Sequence, residues 1–192
     1  MISPIPRLRR VLPHEWGRAA VIGGYVLAVE WTRALAMQKP GLAIPALVLG
    51  GAALALAAWQ TPPAKLGLGT SRFWLRILGG FALGAVLLLP AAVRSSAVPL
   101  LPAGLAVAAV AVSIGEEIAF RGALYAALED AGGAPLAVIG STLIWTLAHA
   151  LSHPLPFLGA VAAAGLLLAL WRWAAKDLVG PIVAHVIADL VL

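Results

Sequence analysis

Long apolar segments recur along the whole chain and constrain its fold more than any other feature. A helix needs about 20 mostly apolar residues to cross a bilayer, or fewer where neighbouring helices thin the hydrocarbon core. The breaks between the segments are rich in Pro, Gly and Ser, which end helices. We therefore predict an all-α fold, a polytopic integral membrane bundle of about seven transmembrane helices. The predicted segments are residues 17–37, 42–59, 73–93, 100–128, 134–151, 156–173 and 178–192.

Composition agrees with a membrane protein surrounded by lipid. Hydrophobic residues make up 62% of the chain and charged residues only 11%, which lies outside the range of a water-soluble domain. The formal net charge of +5 is explained by basic residues at the ends of apolar segments, so we expect no nucleic-acid partner. The absence of cysteine excludes disulfides, thiolate zinc ligands and a cysteine nucleophile.

The basic residues also predict how the chain lies in its membrane. Most of them fall on the cytoplasmic side if the N-terminus is inside, whereas Lys39, Arg94 and Arg33 fall outside. A cleaved signal peptide is disfavoured because Glu30 and Arg33 interrupt the first apolar stretch. The short chain, rich in Ala and Leu, indicates a bacterial cytoplasmic membrane protein with its N-terminus inside.

Several ionisable residues lie inside the predicted spans. A charged group at the centre of a spanning helix costs about 2.5 to 3.5 kcal/mol, so such residues are rarely present without a purpose. We predict that they face one another in a polar cavity among the fourth, fifth and seventh helices. They are Glu116, Glu117, His149, His185 and Asp189.

Spacing assigns partners to these groups. Glu117 and Arg121 are four residues apart, which predicts an ion pair on one helix face. Glu116 is rotated by about 100° from Glu117 and is predicted to lack an ionic partner, which leaves it free to act as a general base. His185 and Asp189 are also four apart, so the carboxylate is expected to accept a hydrogen bond and fix the imidazole tautomer.

Three further polar residues are predicted to lie outside the polar cavity. Pro154 ends the fifth helix, which predicts that His153 lies at the membrane surface. Glu30 and Arg33 are expected to be surface groups or to pair between helices. The predicted topology places Glu116 and His149 at different depths in the membrane. Glu116 lies roughly 24 Å from the outer start of its helix, whereas His149 lies near the outer end of its own helix. They meet only if the fifth helix or the following loop dips inward, or if the fourth helix begins deeper.

The same residues form three motifs in order along the chain. Residues 116–121 resemble the EExxxR motif of the CAAX prenyl protease and bacteriocin-processing (CPBP, or Abi) family of intramembrane proteases. Residues 145–149 resemble its FxxxH motif, with Trp145 in place of Phe, and residues 185–189 resemble its HxxxN/D motif. The resemblance covers residues 113–192. It implies a four-helix catalytic core in residues 99–192, preceded by a basic segment and accessory helices in residues 1–98.

The resemblance implies hydrolysis of a peptide bond in a peptide or protein substrate at or in the membrane. Glu116 and His149 would hold and activate water, and Glu117, Arg121 and Trp145 would support the site. An ionised Asp189 would repel an oxyanion, so we expect it to orient His185. His185 would then donate to the oxyanion or bind a metal. The catalytic residues predicted are Glu116, His149, His185 and Asp189.

Two cofactor states are open. Glu116, His149 and His185 could bind Zn²⁺ and leave a position for water, as in a metalloprotease. The same residues could act without a metal, as in a glutamic protease. We slightly prefer the metal-free form, because Glu116 cannot readily be both a tight ligand and a base.

Two other function classes fit the composition. A catalytically silent membrane scaffold or bacteriocin-immunity protein could share the fold, but the proposed catalytic positions are all intact. A proton-coupled transporter also needs buried carboxylates and histidines, but it ordinarily shows two related halves that this sequence lacks. The substrate of the predicted protease could belong to peptide export, bacteriocin maturation or the removal of sorting signals.

Overall fold

The structure is a computed structural model that describes residues 13–69, 71–94 and 101–191. Every ordered element in these residues is a helix, so the all-α prediction is confirmed there. The helices are α1 Pro13–Met37, α2 Ala43–Ala55, α3 Pro63–Leu66, α4 Phe73–Arg94, α5 Ala103–Glu117, α6 Tyr125–Ala148, α7 Leu158–Ala175 and α8 Val179–Val191. Short 3-10 turns adjoin α2, α6 and α7, at Leu56–Ala58, His149–Leu151 and Leu155–Phe157.

The helices differ in their ability to cross a membrane. In the described residues three stretches are long and apolar enough, by length and composition, and three further apolar helices are shorter. Each predicted segment corresponds to a helix, while the count of seven spans stays a prediction. The long stretches are His14–Met37, Ala103–Leu151 and Leu155–Ala175, and the shorter helices are Ala43–Ala58, Phe73–Leu89 and Val179–Val191.

The longest stretch is a helical hairpin. A π-helical segment, Ile118–Leu124, joins α5 to α6 without a break. The helix is interrupted at Gly132 and Gly133, which have non-helical backbone angles. Gly133 has a φ of +78°, a conformation that glycine adopts at low cost. The predicted break at this position is therefore confirmed, and residues 134–148 form the returning arm.

The two arms of the hairpin have unequal lengths. At 1.5 Å per residue, residues 103–131 rise about 43 Å and residues 134–148 rise about 22 Å. The shorter arm ends about half-way along the longer one, so His149 lies beside Glu116. The depth mismatch in the predicted topology is resolved, because the returning arm stops inside the bundle.

Glycines allow the helices to approach closely around this hairpin. A Cβ atom on Gly115 of α5 would overlap the backbone of Gly51 in α2. A Cβ atom on Gly80 of α4 would lie 2.6 Å from Val183 Cβ in α8. Small residues at such crossings are typical of membrane helices, whose association depends on close packing.

Basic side chains collect at the end of the bundle that contains the Gly132–Gly133 break. Arg18 lies 3.6 Å and Lys65 lies 2.7 Å from Asp130. Arg172 donates a 2.7 Å hydrogen bond to the Lys65 carbonyl, and Lys176 lies 3.3 Å from a Glu129 oxygen. We call this region the basic end, defined by Arg18, Lys65, Arg172 and Lys176.

Candidate active site

Glu116 and Glu117 end α5, where the π-helical segment begins. Such segments are rare and recur at functional sites, because the widened turn redirects side chains. Glu116 is 3% exposed and Glu117 is fully buried. Carboxylates in such surroundings require ionic or hydrogen-bonding partners.

Glu117 is held by two partners. Its Oε1 accepts a hydrogen bond of 3.0 Å from Arg121 Nη1 and lies 2.8 Å from His185 Nδ1. Arg121 also donates to the Gly165 carbonyl at 3.3 Å, and its guanidinium lies 4.3 Å from the Trp145 ring centroid. The ion pair predicted from the spacing is present, and it connects the hairpin to α7 and α8.

Glu116 is held at both of its oxygen atoms. Its Oε1 accepts a 3.0 Å hydrogen bond from Arg33 Nη2, and its Oε2 accepts one of 2.9 Å from Trp145 Nε1. The prediction that Glu116 lacks an ionic partner is wrong, because the partner comes from α1. Spacing within one helix cannot reveal such a contact. Trp145 provides an N–H donor that the Phe of the resembling motif would lack.

His149 presents its Nε2 atom to Glu116. Its Nδ1 lies 2.8 Å from the Trp145 carbonyl oxygen, which can only accept, so Nδ1 carries the proton in the neutral ring. Its Nε2 lies 3.7 Å from Glu116 Oε2. That separation exceeds a hydrogen bond, but one water can lie about 2.8 Å from both atoms.

His185 is oriented by Glu117 more than by Asp189. Asp189 is nearby, as the spacing predicts, but its Oδ2 lies 3.5 Å from His185 Nε2. The shorter contact, of 2.8 Å, joins His185 Nδ1 to Glu117. Asp189 itself accepts a 2.7 Å hydrogen bond from Ser113 Oγ. Ser113 was not predicted, although it lies one turn before the glutamate pair.

Two charged residues of α1 complete this cluster. Glu30 is 1% exposed and Arg33 is 9% exposed, so the expectation that they are surface groups is wrong. Arg33 Nε donates to Glu30 Oε2 at 3.1 Å, and Arg33 Nη2 contacts both Glu30 and Glu116. The alternative expectation, pairing between helices, is confirmed for Arg33. The sequence signal for this contact was a pair of charges one turn apart in an apolar span. Burying each of them in a membrane costs as much free energy as burying Glu116.

His153 lies in the loop that follows the returning arm. Its ring stacks on Phe157 with centroids 5.0 Å apart, and it lies 5.4 Å from the His149 ring centroid. Partial burial lowers the pKa of His153 below its ordinary value, so this side chain is neutral at pH 7. It therefore forms a neutral aromatic wall beside His149.

The side-chain arrangement bears on the possible metal. Within the described residues, no group of three His, Asp or Glu side chains is placed to hold a metal ion. Glu116 and His149 are adjacent, but His185 directs one nitrogen at Glu117 and the other at Asp189. This arrangement does not fit a zinc site with Glu116, His149 and His185 as ligands.

The cluster is almost entirely buried, and Asp189 is its most exposed member. His149 and His185 are each 7% exposed, whereas the Asp189 side chain is 37% exposed. Two clefts, of about 700 and 520 Å³, lie elsewhere, the first beside Arg18 and the second beside Asp177. The Asp189 side is therefore the least covered face of the cluster.

Fold and geometry together define a class, a helical membrane protein with a buried carboxylate–histidine pair inside its longest helical hairpin. The family described as Type II CAAX prenyl endopeptidase Rce1-like matches residues 96–191. This match spans half of the chain, so the protein belongs to that family, and the resemblance seen in the three motifs is confirmed. No curated protein and no solved structure matches the chain. Family membership implies a membrane protease with a peptide or protein substrate at the membrane.

Proposed function

We propose that the protein is an intramembrane endopeptidase that cleaves a membrane-associated peptide with water activated by Glu116 and His149. The proposal depends on one observation above the others. Glu116 Oε2 and His149 Nε2 lie 3.7 Å apart, which suits the joint binding of one water. In a family of endopeptidases, that pair is the simplest source of a hydrolytic nucleophile.

Glu116 acts as the general base in this proposal. It removes a proton from the water while His149 Nε2 accepts the second water hydrogen and orients the oxygen. The water oxygen forms a bond to the scissile carbonyl carbon, whose oxygen becomes an oxyanion. When this tetrahedral intermediate collapses, the C–N bond breaks and Glu116 returns its proton to the leaving amine.

His185 is the proposed partner of the oxyanion. A ring protonated at both nitrogens can donate one hydrogen bond to Glu117 and a second to the substrate oxygen. An ionised Asp189 would repel an oxyanion, and its hydrogen bond from Ser113 holds it beside the ring. We therefore assign Asp189 to orienting His185 together with Glu117.

Cleavage is expected to persist in the presence of a metal chelator. The purified protein in detergent is incubated with a fluorogenic prenyl-cysteine peptide and with unprenylated apolar peptides, each with and without EDTA. The metal-free form predicts rates that agree within about twofold, because no Lewis acid is removed. The two kinds of peptide distinguish a lipid-modified substrate from an unmodified one.

Two other outcomes of that experiment are informative. Loss of activity with EDTA that Zn²⁺ restores would overturn the metal-free preference and retain the peptidase. Folded wild-type protein that cleaves no peptide would instead support the silent scaffold or immunity protein.

We also propose that the basic end faces the cytoplasm, which places the N-terminus inside. Lys and Arg are enriched on the cytoplasmic side of membrane proteins, and Arg18, Lys65, Arg172 and Lys176 share this end. Glu116 lies roughly 22 Å along its helix from that end. Substrate would then enter from the opposite, non-cytoplasmic side.

The cysteine-free chain permits a direct test of orientation. Gln38 is exposed after α1, and Lys176 has a side chain that is 61% exposed at the basic end. In intact host cells a membrane-impermeant maleimide is expected to label Gln38→Cys, and to label Lys176→Cys only after permeabilisation. The reverse pattern would invert the orientation and place substrate entry on the cytoplasmic side.

A further inference from the structure

We infer that Arg33 is a positioning residue for Glu116, supplied to the site by α1 from outside the residues that match the family. The family match begins at residue 96, whereas Arg33 lies in the first helix. The inference rests on the proposed function, in which Glu116 is the general base. It makes the active site incomplete without the N-terminal helix.

Arg33 occupies a space that three helices build for it. Its guanidinium contacts Glu30 on its own helix and reaches across to Glu116 Oε1 on α5 at 3.0 Å. A Cβ atom on Gly50 of α2 would lie 2.6 Å from Arg33 Cδ, so this glycine leaves room for the side chain. Arg33 Nη1 also lies 3.7 Å from Met37 Sδ. The guanidinium is therefore fixed in place by its surroundings.

The two hydrogen bonds to Glu116 set the direction of its carboxylate. Arg33 occupies Oε1 and Trp145 occupies Oε2, which stops rotation of the carboxylate plane. Oε2 is then the oxygen that faces His149, at 3.7 Å from Nε2. A charged donor forms the stronger of the two bonds, so Arg33 contributes most to this orientation. Small errors in the position of a base strongly reduce the rate.

A purely structural role would not require this geometry. Glu30 alone could satisfy the charge of Arg33 within α1, since the two are one turn apart. Arg33 nevertheless also bonds to Glu116, and among the contacts of the described residues it is the only permanently charged donor to that carboxylate. Its position therefore connects the accessory helices to the proposed chemistry.

The test removes Arg33 without leaving Glu30 as an uncompensated charge. The variant Glu30→Gln/Arg33→Met is compared with Glu30→Gln alone, using the better-cleaved peptide of the chelator experiment. We expect kcat to fall by about 100-fold with KM kept within about threefold, because base positioning acts on the chemical step. Glu30→Gln/Arg33→Lys is expected to recover at least about tenfold of that loss, since a cation again faces Glu116.

Several results would overturn the inference. The first is a kcat of Glu30→Gln/Arg33→Met equal to that of Glu30→Gln, and the second is a change confined to KM. The third is a folded Glu30→Gln/Arg33→Lys protein whose kcat does not exceed that of Glu30→Gln/Arg33→Met. If Glu30→Gln/Arg33→Met does not fold, Glu30→Gln/Arg33→Gln takes its place, because it keeps a hydrogen-bond donor without the charge. Its kcat and KM are compared with those of Glu30→Gln in the same way. Absence of cleavage by wild type would instead contradict the proposed function. Melting temperatures in detergent separate folding losses from kinetic ones.

Discussion

Replacing Glu116 with Gln is expected to lower kcat by about 1,000-fold, within the range known for removal of a positioned general base. The amide has nearly the same shape as the carboxylate but cannot accept a proton from water. One amide oxygen can still accept from Arg33 or Trp145, and Glu30 still neutralises Arg33. The fold should therefore survive, and the loss should appear in kcat rather than in stability.

The matched control is Glu129→Gln, which changes a carboxylate at the basic end. Glu129 pairs with Lys176 at 3.3 Å on an exposed surface, where such pairs contribute little to stability. Its kcat and melting temperature are expected to equal those of wild type. Initial rates of peptide cleavage at saturating substrate measure the effect. A folded Glu116→Gln protein with wild-type kcat would remove Glu116 from the role of base.

The helices were predictable because their signals are local. Apolar length and Gly or Pro breaks depend only on neighbouring residues, and the Gly132–Gly133 interruption lies where the sequence predicts it. The depth of His149 was not predictable, because it depends on the relative lengths of two paired helical arms. The π-helical segment after Glu117 also left no sequence signal that periodicity could detect.

The contacts around Glu116 also fall into those that the sequence predicts and those that it does not. The Glu117–Arg121 contact follows from spacing of four residues along one helix. The contacts of Arg33 with Glu116 and of Glu117 with His185 join distant helices, and spacing is silent about which helices are neighbours. Burial cost was the more useful guide, since every charge in an apolar span needs a partner. Applied to α1, it would have directed attention to Arg33.

Replacing Arg121 with Met is expected to lower the free energy of unfolding by about 3 to 5 kcal/mol, because it leaves a buried carboxylate without its cation. Neither side chain of the Glu117–Arg121 pair is exposed to solvent. Among the described residues, Glu117 would retain only His185 as a partner. Unfolding in detergent, followed by tryptophan fluorescence against denaturant concentration, measures the loss.

The double variant Glu117→Gln/Arg121→Met separates the ion pair from the other contacts of Arg121. The amide oxygen introduced by Glu117→Gln can still accept from His185, and no uncompensated charge remains, so most of the lost stability should return. Recovery would mean that the pair makes its own burial tolerable rather than adding stability to the bundle. A double variant as unstable as the single one would instead assign the stability to the Gly165 hydrogen bond and the Trp145 stack. Arg121 would then act mainly by connecting the hairpin to α7, and the main role of Glu117 would be its hydrogen bond with His185.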